Sequence, residues 1–271
     1  MSPVDSTAAL QDWQRKRFFV ALPNALDNLP AEIRIESRDL CHYLGTVVRV
    51  RKGERVVIAD DQRERAYLAE ILELGKSDVV FCVECEQAPP THRLPDVTLA
   101  VALIKEQRWD SVLQKATELG VRTIQPLMAE HSVVRLTAAD MPRKLERWQS
   151  VLRSAAEQSE GLFIPEILPP LTVENYCAQS QPEALRILLL ERKANRKPLK
   201  AVLSTLKPGQ PLVMAVGPEG GWTDAEIAAF EQVGFVSASL GDRILRSETA
   251  AMAALSAVVY EVCDADEAGE G

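Results

Sequence analysis

From residue 17 to about residue 86 the apolar positions fall in short runs broken by turn residues: RFFVAL, TVVRVRKGERVVIAD, RAYLAEILEL and DVVFCVEC. Apolar and polar residues alternate with a period of two, the pattern of half-buried strands. Lys52-Gly53-Glu54 reads as a hairpin turn between two of them. Several short strands over roughly seventy residues predict a small β-barrel. Residues 87–95, with Pro89, Pro90 and Pro95 and few apolar side chains, then read as a linker.

After the linker the period changes. Residues 97–104 and 185–190 are continuous apolar runs, as expected of strands buried on both faces. Residues 121–127 read as a further strand. Between them, residues 109–119 carry Val112, Leu113, Ala116 and Leu119 at helical spacing, with Gly120 as a stop. Residues 142–159 predict a longer helix, with Asp140 as its cap and Leu145, Trp148, Val151, Leu152 and Ala155 on the buried stripe. Alternating strands and helices predict an α/β domain. The expected organisation is a leader over 1–16, the barrel over 17–88, the linker over 89–95, the α/β domain over 96–262 and an acidic tail over 263–271.

Two apolar runs near the C-terminus, 212–216 and 235–240, each end in a loop of unusual chemistry that is followed by a helical pattern. In α/β folds small-molecule sites lie at strand C-termini. The first loop is Gly217-Pro218-Glu219-Gly220-Gly221. Its glycines allow positive φ and close approach of a ligand to backbone N–H groups. Thr223 and Glu226 then form a capping box that starts a helix. No Gly-Lys-Ser/Thr follows and no Gly-x-Gly-x-x-Gly is present, so neither nucleotide fingerprint applies. The second loop, Leu240-Gly241-Asp242-Arg243-Ile244-Leu245-Arg246-Ser247-Glu248-Thr249, sets two apolar residues among charges. Ile244 and Leu245 either pack under a crossing chain or line a pocket. Arg243, Arg246 and Glu248 are placed as site residues, and Ser247 or Thr249 begins the final helix, with Ala251, Leu255 and Val258–Val259 on its buried face.

Composition changes this picture little. The 46% hydrophobic and 26% charged content over 271 residues is that of a globular protein with a real core. No apolar run reaches the ~20 residues of a membrane span, and no signal-peptide core opens the chain, so a cytoplasmic protein without membrane partners is expected. Net charge is −8, but Glu261, Asp264, Asp266, Glu267 and Glu270 supply most of it at one end, leaving the rest near neutral. A basic face remains possible on such a body. Arg49, Arg51, Lys52 and Arg55 cluster at the predicted hairpin, and Arg192, Lys193, Arg196, Lys197 and Lys200 at a helix start; each cluster suits a solvated surface or phosphate contacts. The five cysteines are scattered, and the lone Cys82-x-x-Cys85 sits on a predicted strand with no second pair nearby, so structural thiols are expected rather than a metal or redox pair.

Gly-Pro-Glu-Gly-Gly with a capped helix, followed by Leu240-Gly-x-Arg-Ile-Leu-Arg-x-Glu-Thr-Ala250, resembles the bacterial 16S ribosomal RNA uridine-N3 methyltransferases of the SPOUT superfamily. The resemblance extends over most of the chain. It takes in Arg17-Phe18-Phe19, His42-Tyr43-Leu44 with Val47-Val48-Arg49 and Gly53, Lys115-Ala-Thr-Glu-Leu-Gly120-Val121, and Glu157-Gln158-Ser159 with Pro165-Glu166-Ile167. It implies a PUA-like RNA-binding barrel, an α/β domain with a deep trefoil knot, and a homodimer acting on 16S rRNA of the small ribosomal subunit. S-adenosyl-L-methionine would then lie against Leu190, Gly217, Gly220, Gly221, Leu240, Gly241, Ile244, Leu245 and Thr249. Arg17, Arg49, Arg51 and Lys115 would contact RNA. The chain departs from the family pattern at Glu160-Gly161-Leu162 and Glu130-His131, where cations are common, and at Asp61, where glycine is expected.

N3 of uridine must lose a proton before or during attack on the sulfonium methyl. Arg246 would stabilise negative charge on the ring, with Glu248 or Glu219 taking the proton. A nonenzymatic RNA-binding factor and a methyltransferase acting on another RNA atom, such as a ribose 2′-hydroxyl, are the alternatives.

Overall fold

The computed structural model describes residues 16–22, 26, 28–88, 94–137, 139–179, 183–191 and 196–267. Residues 1–15, most of the proline linker, and Arg192 and Lys193 of the second basic cluster lie outside the described residues. The chain divides into two compact units at residue 90, and residues 160–163 group with the first.

The first unit is a five-stranded sheet of β1 (Arg17–Phe19), β2 (Ala31–Glu36), β3 (Arg55–Asp60), β4 (Arg65–Leu74) and β5 (Asp78–Glu86), in the order β1-β3-β4-β5-β2. β1 runs parallel to β3, and the remaining pairs are antiparallel. Phe18, Leu44, Ile58, Tyr67, Ile71 and Phe81 are fully buried and form its core. Strand β2 was not among the expected runs, although Ile33 and Ile35 alternate with charges as an edge strand should.

The expectation of a strand through Thr46–Arg51 fails. Ser37 caps a short helix, α1 (Arg38–His42), by accepting from the Leu40 N–H, and the chain continues as a π-helical turn over Tyr43–Val48. Burial of Cys41 and Leu44 at helical spacing outweighs the β-branched residues that suggested a strand. Arg49 ends the turn in the left-handed region, at φ 56°. The expected hairpin at Lys52-Gly53 is therefore a helix-to-strand connection.

The second unit is built on a parallel sheet. Its strands are β6 (Val97–Ala102), β7 (Thr123–Met128), β8 (Glu166–Ile167), β9 (Leu171–Thr172), β10 (Leu185–Leu189), β11 (Lys197–Pro198), β12 (Leu212–Val216) and β13 (Val236–Ser239). The order is β11-β13-β10-β12-β6-β7-β8, with β9 beside β7, and the paired strands are parallel. Every residue of β12 is buried. On one face pack α2 (Glu106–Glu118), α3 (Met141–Gln158), α5 (Leu199–Leu203) and α7 (Ser247–Glu267), through Trp109, Leu113, Trp148, Leu152, Val202 and Leu255. On the other face pack α4 (Val173–Cys177) and α6 (Asp224–Gln232), through Tyr176, Phe230 and Phe235.

Several local expectations need adjustment. α2 begins three residues earlier than its apolar period suggested, at Glu106. Gly120 follows it at φ +76°, a left-handed stop. Asp140 occupies the cap position of α3, but its carboxylate accepts from the Thr137 N–H and hydroxyl and makes no cap bond to the helix. Leu145 and Val151 are half-buried against the core, whereas Trp148, Leu152 and Ala155 are buried. Ser247, not Thr249, begins α7. Cys82 is half-buried and Cys85 exposed, and neither forms a disulfide. Among the described residues no helix is long and apolar enough to cross a membrane.

The Trp109 and Trp148 rings lie 5.3 Å apart between α2 and α3, with both side chains nearly inaccessible. Trp109→Ala would leave a cavity at this junction. It is expected to destabilise the second unit by about 3–5 kcal/mol, read from the shift in a urea unfolding curve.

Candidate functional site

Three neighbouring parallel strands, β13, β10 and β12, end on the same edge of the sheet. Pairing continues one residue past β10, where the Leu190 N–H donates to the Ala238 carbonyl at 2.9 Å. Beyond these ends the chain enters the two glycine-bearing loops. A cleft of about 470 Å³ lies between them. Its size and its place at strand carboxyl ends are those of a small-molecule site.

The first loop is held by close contacts. The Gly221 N–H donates to the Pro218 carbonyl at 2.9 Å, and Gly221 itself takes φ +72°. A Cβ on Gly217 would meet the Trp222 indole nitrogen at 3.0 Å, and one on Gly220 would meet the Cβ of His131 at 2.7 Å. Glycine is thus required at both positions by close approach rather than by turn propensity alone. His131 Nδ1 lies 3.1 Å from the carbonyls of both Gly220 and Gly221. At this departure from the family pattern, the histidine supports the loop.

Below the loop the expected capping box is present. Thr223 Oγ1 accepts from the Glu226 N–H at 3.2 Å, and Glu226 Oε2 accepts from the Thr223 N–H at 2.8 Å. Glu226 is only 6% exposed, and its Oε1 accepts from the Glu130 N–H at 2.8 Å. One buried carboxylate therefore joins the start of α6 to the segment after β7.

The second loop turns at Gly241, at φ +119°, where Ser239 Oγ both accepts from the Gly241 N–H and donates to its carbonyl. Of the two apolar residues in it, Leu245 is half-buried and Ile244 is 58% exposed, and both line the cleft.

Of the residues nominated for a small molecule, Leu190, Gly217, Gly220, Gly221, Leu240, Gly241, Ile244 and Leu245 line the cleft; Thr249 does not. Among the nominated catalytic residues Glu219 lines it, while Arg246 and Glu248 flank it. Arg246 is exposed, and its guanidinium has no hydrogen bond or ion pair to the described residues. Glu248 sits in the first turn of α7, with one carboxylate oxygen buried and without a hydrogen-bond partner. Sequence reasoning overlooked Glu191 and Trp222, which also line the cleft, and Arg108 on α2. Arg108 Nη1 lies 3.0 Å from Glu219 Oε1, and its Nε 3.6 Å from Glu248 Oε1. The first two adjoin the nominated stretches and could have been included; no sequence spacing announces Arg108.

The cations nominated for RNA fare unequally. Arg17 is 6% exposed and donates to the carbonyls of Glu160 and Gly161 and to Gln87 Oε1, and burial lowers its pKa. Its guanidinium is engaged inside the first unit, because β1 places it on the buried side, so it is not an exposed RNA contact. Arg49 and Arg51 are exposed. Lys115 is exposed and paired with Glu118 at 2.7 Å. In the second basic cluster, Arg196 lies 3.6 Å from Asp242, and Lys200 lies 3.9 Å from Glu261.

A parallel α/β sheet with a glycine-walled cleft at its carboxyl edge, following a small β unit, defines the class of the protein. Residues 92–259 match the family described as RNA methyltransferase domain, and residues 38–82 match RNA methyltransferase PUA domain. The chain is 37% identical over 220 residues to the ribosomal RNA small subunit methyltransferase E of Synechocystis sp., covering 80% of this chain and 69% of that protein. It is 29% identical over 250 residues to the protein of the same name from Bacillus subtilis, covering 91% and 96%. A crystal structure of the Neisseria gonorrhoeae ribosomal RNA small subunit methyltransferase E bound to S-adenosyl methionine superposes with a TM-score of 0.77 at 30% identity, covering 92% of this chain and 98% of that one. A putative methyltransferase from Legionella pneumophila in complex with the cofactor superposes at 0.78, with 27% identity and the same coverage. The chain belongs to the ribosomal RNA small subunit methyltransferase E family.

The three hydrogen bonds that the Glu226 carboxylate accepts, from the Glu130 N–H and from the Thr223 N–H and hydroxyl, predict the effect of removing it. Glu226→Ala would break the reciprocal half of the capping box and leave the Thr223 and Glu130 N–H groups without that acceptor, at a cost of about 2 kcal/mol. The melting temperature of the second unit should fall by about 4–8 °C in calorimetry.

Proposed function

We propose that this protein transfers the methyl group of S-adenosyl-L-methionine to N3 of a uridine in the 16S rRNA of the small ribosomal subunit. The observation that carries the reading is the cleft at the ends of β10, β12 and β13, lined by the two glycine-bearing loops together with Leu190, Trp222 and Leu245. The residues present fit the cofactor. The Gly221 and Gly241 backbones leave room for close approach, and Trp222, 9% exposed on the cleft wall, carries an indole N–H without an acceptor. A buried donor of this kind is costly unless a ligand uses it. Leu190, Leu240 and Leu245 with Gly217, Gly221 and Gly241 would clasp the adenosine. S-adenosyl-L-methionine, when bound, supplies an electrophilic methyl whose bond to sulfur breaks with the electron pair left on sulfur.

The chain's own residues would do the rest. Arg246, exposed and unpaired beside the cleft, is free to neutralise negative charge on the uracil oxygens. Glu248 would take the N3 proton on its unpartnered oxygen, and the nitrogen electron pair so released forms the new bond to carbon. The loops would hold the base in line and exclude water. The first unit would grip RNA through exposed cations such as Arg49 and Arg51. In this reading the second unit is knotted in the SPOUT manner, and the protein works as a homodimer in the cytoplasm.

The test is to incubate the purified protein and labelled cofactor with small subunits lacking the modification, and with free 16S rRNA in parallel. 3-Methyluridine should appear in nucleoside mass spectrometry of at least one substrate; its absence from both, or a methyl on a ribose, overturns the reading. Two variants sharpen it. Gly241→Val, strained at φ +119°, should weaken cofactor binding more than about tenfold in isothermal titration. Arg246→Ala should bind cofactor normally and lose about 10²–10³ in kcat.

A further inference from the structure

We propose that Arg108 is a positioning residue of the transfer reaction. One guanidinium on α2 fixes the carboxylates of both loops, and it leaves the second oxygen of Glu248 as the proton acceptor. This rests on the uridine-methylation reading above.

The two carboxylates come from different places. Glu219 belongs to the glycine loop after β12 and Glu248 to the first turn of α7, and neither neighbours Arg108 in sequence. Arg108 reaches both in a single fork, with Nη1 on Glu219 Oε1 at 3.0 Å and Nε toward Glu248 Oε1 at 3.6 Å. A planar guanidinium presents donors in fixed directions, so holding one carboxylate sets the angle available to the other. α2 is a rigid base for this, since Trp109, Val112 and Leu113 anchor it in the core beside the arginine.

The contact to Glu248 is an ion pair without hydrogen-bond geometry. It draws Oε1 toward α2 while leaving Oε2 buried and unpartnered. An unsatisfied buried acceptor is uncommon and points to use by something that arrives later. The proton of the substrate base meets that requirement. Ser247 and Ala250 on the same turn line the cleft, so Glu248 lies within one turn of its wall. Arg108 does not line the cleft and acts only through the two carboxylates.

The experiment measures kcat and KM for RNA, cofactor affinity and melting temperature for Arg108→Ala and Arg108→Lys, each alone and in a Glu219→Gln/Glu248→Gln background. Arg108→Ala should lower kcat by about 10- to 100-fold while KM for RNA stays within about twofold, because misorientation by ~1 Å costs this much. Arg108→Lys should recover part of the loss, since a point charge restores attraction but cannot serve both carboxylates in the same geometry. In the double-Gln background Arg108→Ala should cause no further loss. A wild-type kcat in Arg108→Ala, or a loss that simply multiplies with that of the double variant, overturns the proposal. Should Arg108→Ala not fold, the lysine variant decides: a full wild-type rate in Arg108→Lys with Glu219 and Glu248 intact is the overturning result. Absence of uridine methylation by the wild-type protein would instead sink the functional reading and this proposal with it.

Discussion

β12 is five residues long and buries all of them, and most of the second unit follows from that constraint. A strand without an exposed residue needs backbone partners on both edges and apolar cover on both faces. β10 and β6 supply the edges, each in parallel register. Met214 packs into the core under α2, α3 and α7, while Val213 and Ala215 pack into the one under α4 and α6. Once β12 lies between β10 and β6, the chain leaves its carboxyl end beside those of β10 and β13, and a cleft there is a consequence of topology. The glycine loops decide how that cleft is walled.

Holding those loops in place falls to polar groups that the core cannot replace. Glu226 is buried with every bond it makes directed at backbone or hydroxyl, so it caps α6 and anchors the post-β7 segment at once. His131, next along from Glu130, meets the carbonyls of Gly220 and Gly221. The first loop is thus braced from the sheet side by Glu226, from the β7 side by His131 and from α2 by Arg108. A preorganised wall of this kind need not reorganise when a ligand enters. It also recasts one departure from the family pattern: a histidine replacing a cation reads in sequence as a lost RNA contact, yet in three dimensions it is a brace.

The legible parts of the chain were those where local chemistry and tertiary burial agree. The apolar run 212–216 and the Thr223–Glu226 box appear at the positions read from sequence because a strand buried on both faces and a reciprocal cap leave one solution each. The segment 46–51 was misread because β-branched Val47 and Val48 suggested a strand. Ser37 capping and the burial of Cys41 and Leu44 at helical spacing prevail there. The resemblance made Arg17 an RNA contact, but its neighbours Phe18 and Phe19 carry it inward, where carbonyls from residues 160 and 161 receive it. Those partners are more than a hundred residues away, beyond the reach of any local pattern. Arg108 escaped notice for the same reason: its role exists only once α2, the β12 loop and α7 converge.

The charges of the second unit sort themselves by this convergence. Lys115 and Lys144 are engaged with carboxylates on or beside α2, so they contribute little free positive potential. Arg243 and Arg246, by contrast, stand exposed on the second loop without partners among the described residues. The net negative charge of the whole chain therefore says little about its local field, because two unpaired cations stand at or beside the cleft while several others are neutralised elsewhere. An anionic polymer would meet an uncompensated arginine pair where the reaction is proposed to occur. Three of the nearby acids are held back, since Arg108 ties Glu219 and Glu248 and Glu226 is buried beneath the loop, while Glu191 and Asp224 stay exposed on the cleft wall. Neutralising the acids and freeing the cations are two aspects of one arrangement, and the same guanidinium that orients the carboxylates also lowers the cost of bringing RNA against them.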